Sequence, residues 1–327
     1  MSSDRDFLPS VDWPPLRLRS ELLARTRRFF DERGFLEVET PLLSADTVVD
    51  RHIDPLSVVL FDDARRPDVG RRMWLQTSPE FHMQRLLAAG AEAIFQITRS
   101  FRGGETGRLH NPEFTIVEWY RRCDRMREGI ELLSALCETL LKRGPAEVLT
   151  YREAFERHAG IDPHACDAPE LRLSAVANGC IPPPSLGDDR DGWLDLMMAE
   201  LIAPRLGRTR PAIVCDYPAS QAALAVVRDG NPPVAERFEL FVDGIELANG
   251  YHELTDAAVL RERIAIANRQ RTEDGKPPLP SESRLLEAME HGLPASSGCA
   301  LGFDRIVMLA AGAESIEEVI TFPVDRA

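Results

Sequence analysis

The chain has no C-x-x-C pair, and no histidine stands at zinc-finger spacing from any of its six cysteines, Cys123, Cys137, Cys166, Cys180, Cys215 and Cys299. That excludes the common structural zinc sites and a disulfide framework, and the cysteines read as reduced thiols of a cytosol. No apolar run reaches the roughly 18 residues of a membrane span. The N-terminus, "MSSDRDFLPSVDWPPLRLRS", carries charges where a signal peptide needs an apolar segment, so neither export nor a membrane is expected. There is no global basic surplus: net charge is −14, which speaks against holding a nucleic-acid backbone. Lysine is almost missing, with only Lys142 and Lys276 among 39 basic residues; such an arginine bias reflects nucleotide composition of the source more than chemistry. Also absent are the G-x-x-x-x-G-K-[ST] loop, the G-x-S-x-G elbow and H-E-x-x-H. Seven histidines show no metal-ligand spacing.

With 327 residues and 44% apolar side chains the chain can bury a large core. Its 24 prolines mark no single linker. Apolar spacing predicts a helix over 16–33 that stops at Gly34, then a strand in "FLEVETPLL" (35–43) that breaks at Pro41. Strands at 73–77 and 93–102 flank a helix opening at Pro79, and "EFTIVEWYRR" is a further strand. Residues 124–210 read as helical (124–143, 150–159, 168–177, 190–206), interrupted by "CIPPPSLGDD". Strands follow at 212–216, 223–228 and 234–250, then helices at 256–273 and 283–291, a strand at 299–302 and a last helix from 303. Strands in runs with hairpin-length connections favour an α+β fold, an antiparallel sheet flanked by helices. The helical stretch would be an insertion on its edge.

Four constellations can carry chemistry. Alternation puts Phe114, Ile116, Glu118 and Tyr120 on one face of a strand; an edge charge facing water is the plain alternative for Glu118. In "ERFELFVDGIELANGYHEL" (236–254), Asp243-Gly244 signals a two-residue hairpin. Phe241 would then face Glu246, and Glu239 would face Ala248. Glu239 and Glu246 would lie diagonally, roughly 7–8 Å apart at Cβ. Such a pair suits a magnesium ion shared with phosphates, or is simply a solvated acidic face. Asn249-Gly250 reads as a bulge or turn, and Glu253 as a candidate to hold an ammonium group. "SSGCALGFDRIVML" (296–309) is a small-residue strand turning into a helix at Gly302, with Arg305 in the first turn to meet an anion or to stand as a surface charge. "TSPEFHMQRL" (77–86) sets Ser78 and Glu80 at a strand-to-helix corner, where an ordinary cap is the alternative.

These elements, in this order, resemble the class II aminoacyl-tRNA synthetases. "FLEVETPLL" resembles motif 1, "FRGGETGRLHNPEFTIVEWY" motif 2 and "GCALGFDR" motif 3; "TSPE", "HNPEFT" and "RFELFVDGIELANGYHEL" look like lysyl-tRNA synthetase. The likeness spans almost the whole chain. It implies one catalytic domain over 1–327 with the class II fold and a helical insertion at about 145–210. Only about 15 residues precede the first helix, too few for the OB-fold that binds the anticodon. The pattern is therefore similar to the truncated lysyl-type paralogues that attach a lysine-like amino acid to elongation factor P.

The resemblance implies ATP and Mg2+, a homodimer through motif 1, a cytoplasmic setting, and elongation factor P rather than tRNA as acceptor. By the same carry-over, Arg102 holds the α-phosphate and Arg305 the γ-phosphate. Glu239 and Glu246 hold the metal. Phe114 stacks on adenine, with His110, Asn111, Leu247 and Gly302 around the nucleotide and Gly103, Gly104 and Glu105 in the loop over it. Ser78, Pro79, Glu80, Glu118, Tyr120, Asn249, Glu253 and Ala300 surround (R)-β-lysine or lysine. Ser78 and Ala300 stand where lysyl-tRNA synthetases carry Ala or Gly and Gly. Gly104 departs from the family's Arg-Asn-Glu, which leaves adenine to Glu105 or to the backbone. An asparagine-synthetase-type ligase and a non-catalytic paralogue are the competing readings.

Overall fold

The computed structural model describes residues 7–183 and 186–327. Met1 to Asp6, where the charged leader reading begins, and Pro184 and Ser185 within "CIPPPSLGDD" lie outside the described residues. In chain order the regular elements begin with α1 (Trp13–Asp31), β1 (Leu36–Glu37), β2 (Leu43–Ser44), β3 (Ser57–Phe61) and β4 (Gly70–Leu75). They continue with α2 (Glu80–Ala88), β5 (Ala93–Phe101), β6 (Glu113–Arg122), α3 (Met126–Leu141), β7 (Glu147–Thr150), α4 (Tyr151–Ala159), α5 (Ala168–Ala177) and α6 (Arg190–Met197). The rest are β8 (Ala212–Pro218), β9 (Val227–Arg228), β10 (Val234–Val242), β11 (Ile245–His252), α7 (Ala257–Glu273), α8 (Arg284–Gly292), β12 (Ser296–Gly302) and α9 (Phe303–Ala311). The α+β expectation holds: strand pairing is mostly antiparallel, with β1–β5 and β7–β8 the parallel exceptions.

The chain divides into two compact units. The first takes the residues through Cys123, Thr255–Ala295 and Ala300–Ala327; the second takes Asp124–Leu254 and Ser296–Cys299. In the first unit α1 buries Leu22, Thr26, Phe29 and Phe30, one stripe at helical spacing. Its two prolines fall in the first turn, where their missing N–H groups cost nothing. Phe30 stacks on Phe95 of β5 at 4.6 Å and meets Trp119 of β6 at 5.3 Å, which fixes the helix against the β5–β6 pair. "FLEVETPLL" is not one strand. Pro41 has no N–H to give a ladder, and the run splits into β1 on β5 and β2 on β4. The helix expected to open at Pro79 has that residue as its N-cap, with Glu80 first. Strand β3, not anticipated, pairs with β4, and its "SVVLF" is apolar without alternation and exposed throughout.

In the second unit β10 pairs with β11, β8 and β9, and β7 runs parallel to β8. The helical stretch is present and opens with β7. Its Tyr151, Phe155, Trp193 and Leu194 pack with Val214, Tyr217 and Phe241 of the strands into one core. The helix expected over 190–206 ends at Met197, widens through a π turn (Met198–Ile202) and then tightens in a 3-10 turn (Ala203–Arg205) that holds Pro204. Of the strand expected at 223–228 only β9 forms.

The Asp243-Gly244 hairpin is a two-residue turn with both residues at positive φ, 53° and 79°. Val242 faces Ile245 and Phe241 faces Glu246 as expected. Beyond that point the expectation fails: Glu239 pairs with Asn249, not Ala248, because a bulge at Leu247 inserts an extra residue. The bulge lets Leu247 and Ala248 both be buried in succession. Asn249-Gly250 is neither bulge nor turn but mid-strand. A Cβ on Gly250 would lie 2.4 Å from the Phe238 ring, so a close approach of strand and ring explains the glycine.

Candidate active site

The first unit gathers two clusters from the predicted residues. One is acidic. Glu118 on β6 is 1% exposed, and its two oxygens accept from Ser78 Oγ and Tyr120 Oη, each at 2.7 Å. Strand alternation delivers Glu118 and Tyr120 to the same face, as the pattern implied. Ser78 Oγ also accepts the Glu80 amide at 3.2 Å, a local turn contact just ahead of the Pro79 N-cap, which itself has no side-chain cap bond. Glu80, 7% exposed, accepts from Gln84 Nε2 at 3.1 Å, one helical turn on.

None of these hydrogen-bond partners is a cation. Burial pushes the Glu118 carboxyl up to about 7, against the opposing pull of the Ser78 and Tyr120 hydroxyls. Burial, and then the charge of Glu118, hold Glu80 well above the carboxylate range. Both carboxyls are desolvated and hydrogen-bonded only to neutral donors, with the Arg102 charge near enough to Glu118 to oppose its shift, and an ammonium group would supply a charge of the sign that such carboxyls lack. Pro79 is buried at the N-cap position of α2.

The other cluster is built on the loop between β5 and β6. The Arg102 guanidinium lies 5.1 Å from the Phe114 ring centroid, and its Nη1 is 3.8 Å from Glu105. Glu105 reaches His110 at 4.0 Å, and Arg305 Nη2 meets His110 Nε2 at 2.7 Å. His110 must therefore accept at Nε2 and keep its proton on Nδ1. Its lowered pKa, set by burial and then by the Arg305 charge, keeps it neutral for that role.

Arg305 sits in the first turn of α9, next to the Gly302 cap. Two arginines and the start of a helix stand together in the first unit, the kind of groups that meet an anion of phosphate type. Gly104 has φ +78°, and Gly103 donates its amide to Asp54 O at 2.7 Å, with Leu56 and Asp54 closing in where a Cβ would stand. Gly104 thus makes a turn and Gly103 a close packing step. Asn111 is committed elsewhere: its Nδ2 donates to Glu113 O and its Oδ1 accepts from Val324 N. Ala300, half-buried, lies on β12.

In the second unit Glu239 is 6% exposed and accepts from Arg237 Nη2 at 2.5 Å and Tyr217 Oη at 2.6 Å. Glu246, across the hairpin beside Phe241, is exposed. Leu247 is the buried bulge residue. Asn249 Nδ2 donates to Tyr251 Oη at 2.8 Å, while its Oδ1 is buried without a hydrogen-bond partner among the described residues. Glu253 is buried, and its amide donates to Ser296 O.

Among the described residues no group of three or more His, Cys, Asp or Glu is arranged to hold a metal. Two carboxylates on adjacent strands fit magnesium all the same. They are hard oxygen donors, and that ion takes one or two carboxylates and completes its shell with phosphate and water.

Several neighbours of these residues were not singled out by sequence. Gln84 stands four residues after Glu80, and Arg237 two before Glu239 on the same strand; both spacings are visible in the chain. Tyr217 carries no such signal, since it comes from another strand. Three of the four tyrosines, Tyr120, Tyr217 and Tyr251, place their hydroxyls on predicted site side chains.

This chain belongs to the class II tRNA synthetases of the D, K and N type, whose family description matches residues 14–326. Within that class it is 47% identical over 327 residues, the whole of both chains, to the elongation factor P–(R)-beta-lysine ligase of Klebsiella pneumoniae (strain 342). The ligase of the same name from Salmonella paratyphi B is 45% identical over the same full length. Among the described residues no helix is long and apolar enough to cross a membrane.

Proposed function

We propose that this protein is an ATP-dependent, AMP-forming ligase. It activates (R)-β-lysine, or lysine, and joins it to the ε-amine of a lysine on elongation factor P. Full-length similarity to ligases named for that reaction supports the acceptor and the amino acid. The observation that carries the chemistry is the Ser78–Glu118–Tyr120 network beside Glu80, a buried acidic pocket with only neutral donors hydrogen-bonded to it.

A carboxylate oxygen of the amino acid attacks the α-phosphorus of ATP, and the bond to pyrophosphate breaks. The acceptor amine then attacks the acyl carbonyl of the adenylate, and AMP leaves. The protein's part is positioning and charge neutralisation. Arg102 holds the α-phosphate and Arg305 the γ-phosphate, with neutral His110 orienting the Arg305 guanidinium. Phe114 stacks on adenine, with Glu105 and Gly302 at the nucleotide, and the family resemblance gives Leu247 a nucleotide role as well. Glu80, Glu118, Tyr120 and Ser78 receive ammonium groups of the substrate, and the family resemblance gives Asn249 and Glu253 substrate roles as well. Glu239 and Glu246 hold magnesium, which neutralises phosphate charge when bound. We also infer a homodimer in a reducing cytoplasm, in keeping with six cysteines free of disulfides. tRNA is not an acceptor in this reading.

ATP–pyrophosphate exchange with (R)-β-lysine, α-lysine and aspartate, followed by transfer to elongation factor P or tRNA, tests it. Exchange with either lysine and label on elongation factor P is expected. Exchange with aspartate, no exchange, or label on tRNA would each sink it.

A further inference from the structure

The carboxylate of Glu239 is already engaged on both oxygens, by a cation on Oε1 and a phenol on Oε2. Arg237 is itself tethered. Its Nη1 donates to Gln221 O at 2.9 Å, and its guanidinium lies 4.7 Å from the Tyr217 ring centroid. Gln221 in turn donates to Asp195 at 2.8 Å. Arg237 is therefore held at Glu239 by three separate contacts, and the phenol that seats its guanidinium is the one bound to Oε2.

We infer that Arg237 and Tyr217 are positioning residues that hold and neutralise Glu239, so that this carboxylate takes a divalent cation only together with nucleotide phosphate. The inference rests on the reading of Glu239 as a metal ligand given above. Each carboxylate oxygen keeps one further lone pair, so coordination is open in geometry. A cation entering there meets the guanidinium charge at close range in a largely dry setting, where like charges repel strongly. Phosphate oxygens supply the negative charge that tips the balance. The arrangement would keep the buried Glu239 satisfied at all times, since an unpaired buried carboxylate is costly.

Mn2+ binding to the full chain, followed by electron paramagnetic resonance with and without a non-hydrolysable ATP analogue, tests this without turnover. The wild type should bind Mn2+ well only with the analogue. Arg237→Gln should gain about ten-fold in nucleotide-free affinity, while Arg237→Lys, which keeps a cation, stays near wild type. Tyr217→Phe frees Oε2 without stranding a charge and should gain about three-fold. Should Arg237→Gln not fold, Tyr217→Phe decides alone. No gain in either variant overturns the inference while leaving the metal role intact. If Glu239→Gln leaves nucleotide-supported Mn2+ binding unchanged, the metal role and the inference fall together.

Discussion

Asp304 accepts the backbone amide of Thr115 on Oδ2 at 2.8 Å and the Arg19 guanidinium on Oδ1 at 2.6 Å. Arg19 also donates to Thr115 Oγ1 at 2.6 Å. One buried carboxylate thus ties α1, β6 and α9 together, and it does so between Phe114 and Arg305, the chain neighbours of Thr115 and Asp304. Asp304→Asn would leave Arg19 uncompensated and weaken the bond to the amide. We expect a loss of about 2–4 kcal/mol in urea unfolding, as for other half-broken buried pairs. Arg305 should also lose its placement, so pyrophosphate exchange should fall more than the folded fraction does. A drop in step with unfolding would leave Asp304 a purely structural residue.

Glu118 makes stability depend on pH in a stated direction. Its folded carboxyl is pushed up to about 7 from an ordinary 4.5, so between those values the folded state holds a proton that the unfolded chain has released. This contribution to stability is full below about pH 4.5 and is lost as pH rises through about 7, and Glu80 acts in the same direction. The urea midpoint should be higher at pH 5 than at pH 8, apart from effects common to all carboxylates, and Glu118→Gln should flatten the difference. A dicationic substrate would drive the proton off. Calorimetry at pH 6 in buffers of different ionisation heat should therefore show proton release on binding.

The loop after β5 separates two roles. Gly104 has φ +78° and open space around it, so Gly104→Ala costs only backbone strain, about 1 kcal/mol. Its KM for ATP should stay at the wild-type value. Glu105→Ala removes the partner of Arg102 and the candidate adenine contact, and should raise that KM about three-fold or more. An unchanged KM in Glu105→Ala would leave adenine to the backbone alone.

Most elements were legible because period and punctuation agreed. "EFTIVEWYRR" is β6 residue for residue, and Asp243-Gly244 turns where it should. The failures share a cause: long-range packing overrode a local pattern. The "FLEVETPLL" alternation predicts one strand, but its two ends find different partners in β5 and β4. Leu247 is invisible as a bulge because apolar Leu and Ala suit a strand in either register. In the site, Arg102 came only with the family resemblance, while Glu118, Tyr120 and Arg305 were readable from spacing. Tyr217 on Glu239 and Asp54 under Gly103 were not, since each joins segments with no shared period.

Gly250 shows what that packing demands. A Cβ there would sit 2.4 Å from Phe238 Cζ and 2.9 Å from Gly298 O, and Phe238 is fully buried with nowhere to turn. Gly250→Ala should destabilise by about 3 kcal/mol or fail to fold, and a smaller partner at the clash, in Gly250→Ala with Phe238→Leu, should recover part of the loss. A loss below roughly 1 kcal/mol would mean that the strand is not held this tightly.

Ala300 carries the prediction that bears on substrate choice. It lies on β12, where lysyl-type sequences have glycine, and it adds one methyl to a strand that the resemblance places along the amino-acid pocket. A methyl beside C2 would crowd a 2-amino group and spare an amine shifted to C3, which favours (R)-β-lysine over α-lysine. One methylene-sized contact is worth about 1–3 kcal/mol in such discrimination, so Ala300→Gly should narrow the preference by about ten-fold or more in kcat/KM. Glycine in a strand also costs up to about 1 kcal/mol of stability, which a parallel melting curve separates from the effect on specificity. KM values that favour α-lysine in the wild type, with no change in Ala300→Gly, would remove the methyl from the account and leave the choice to the carboxylates alone.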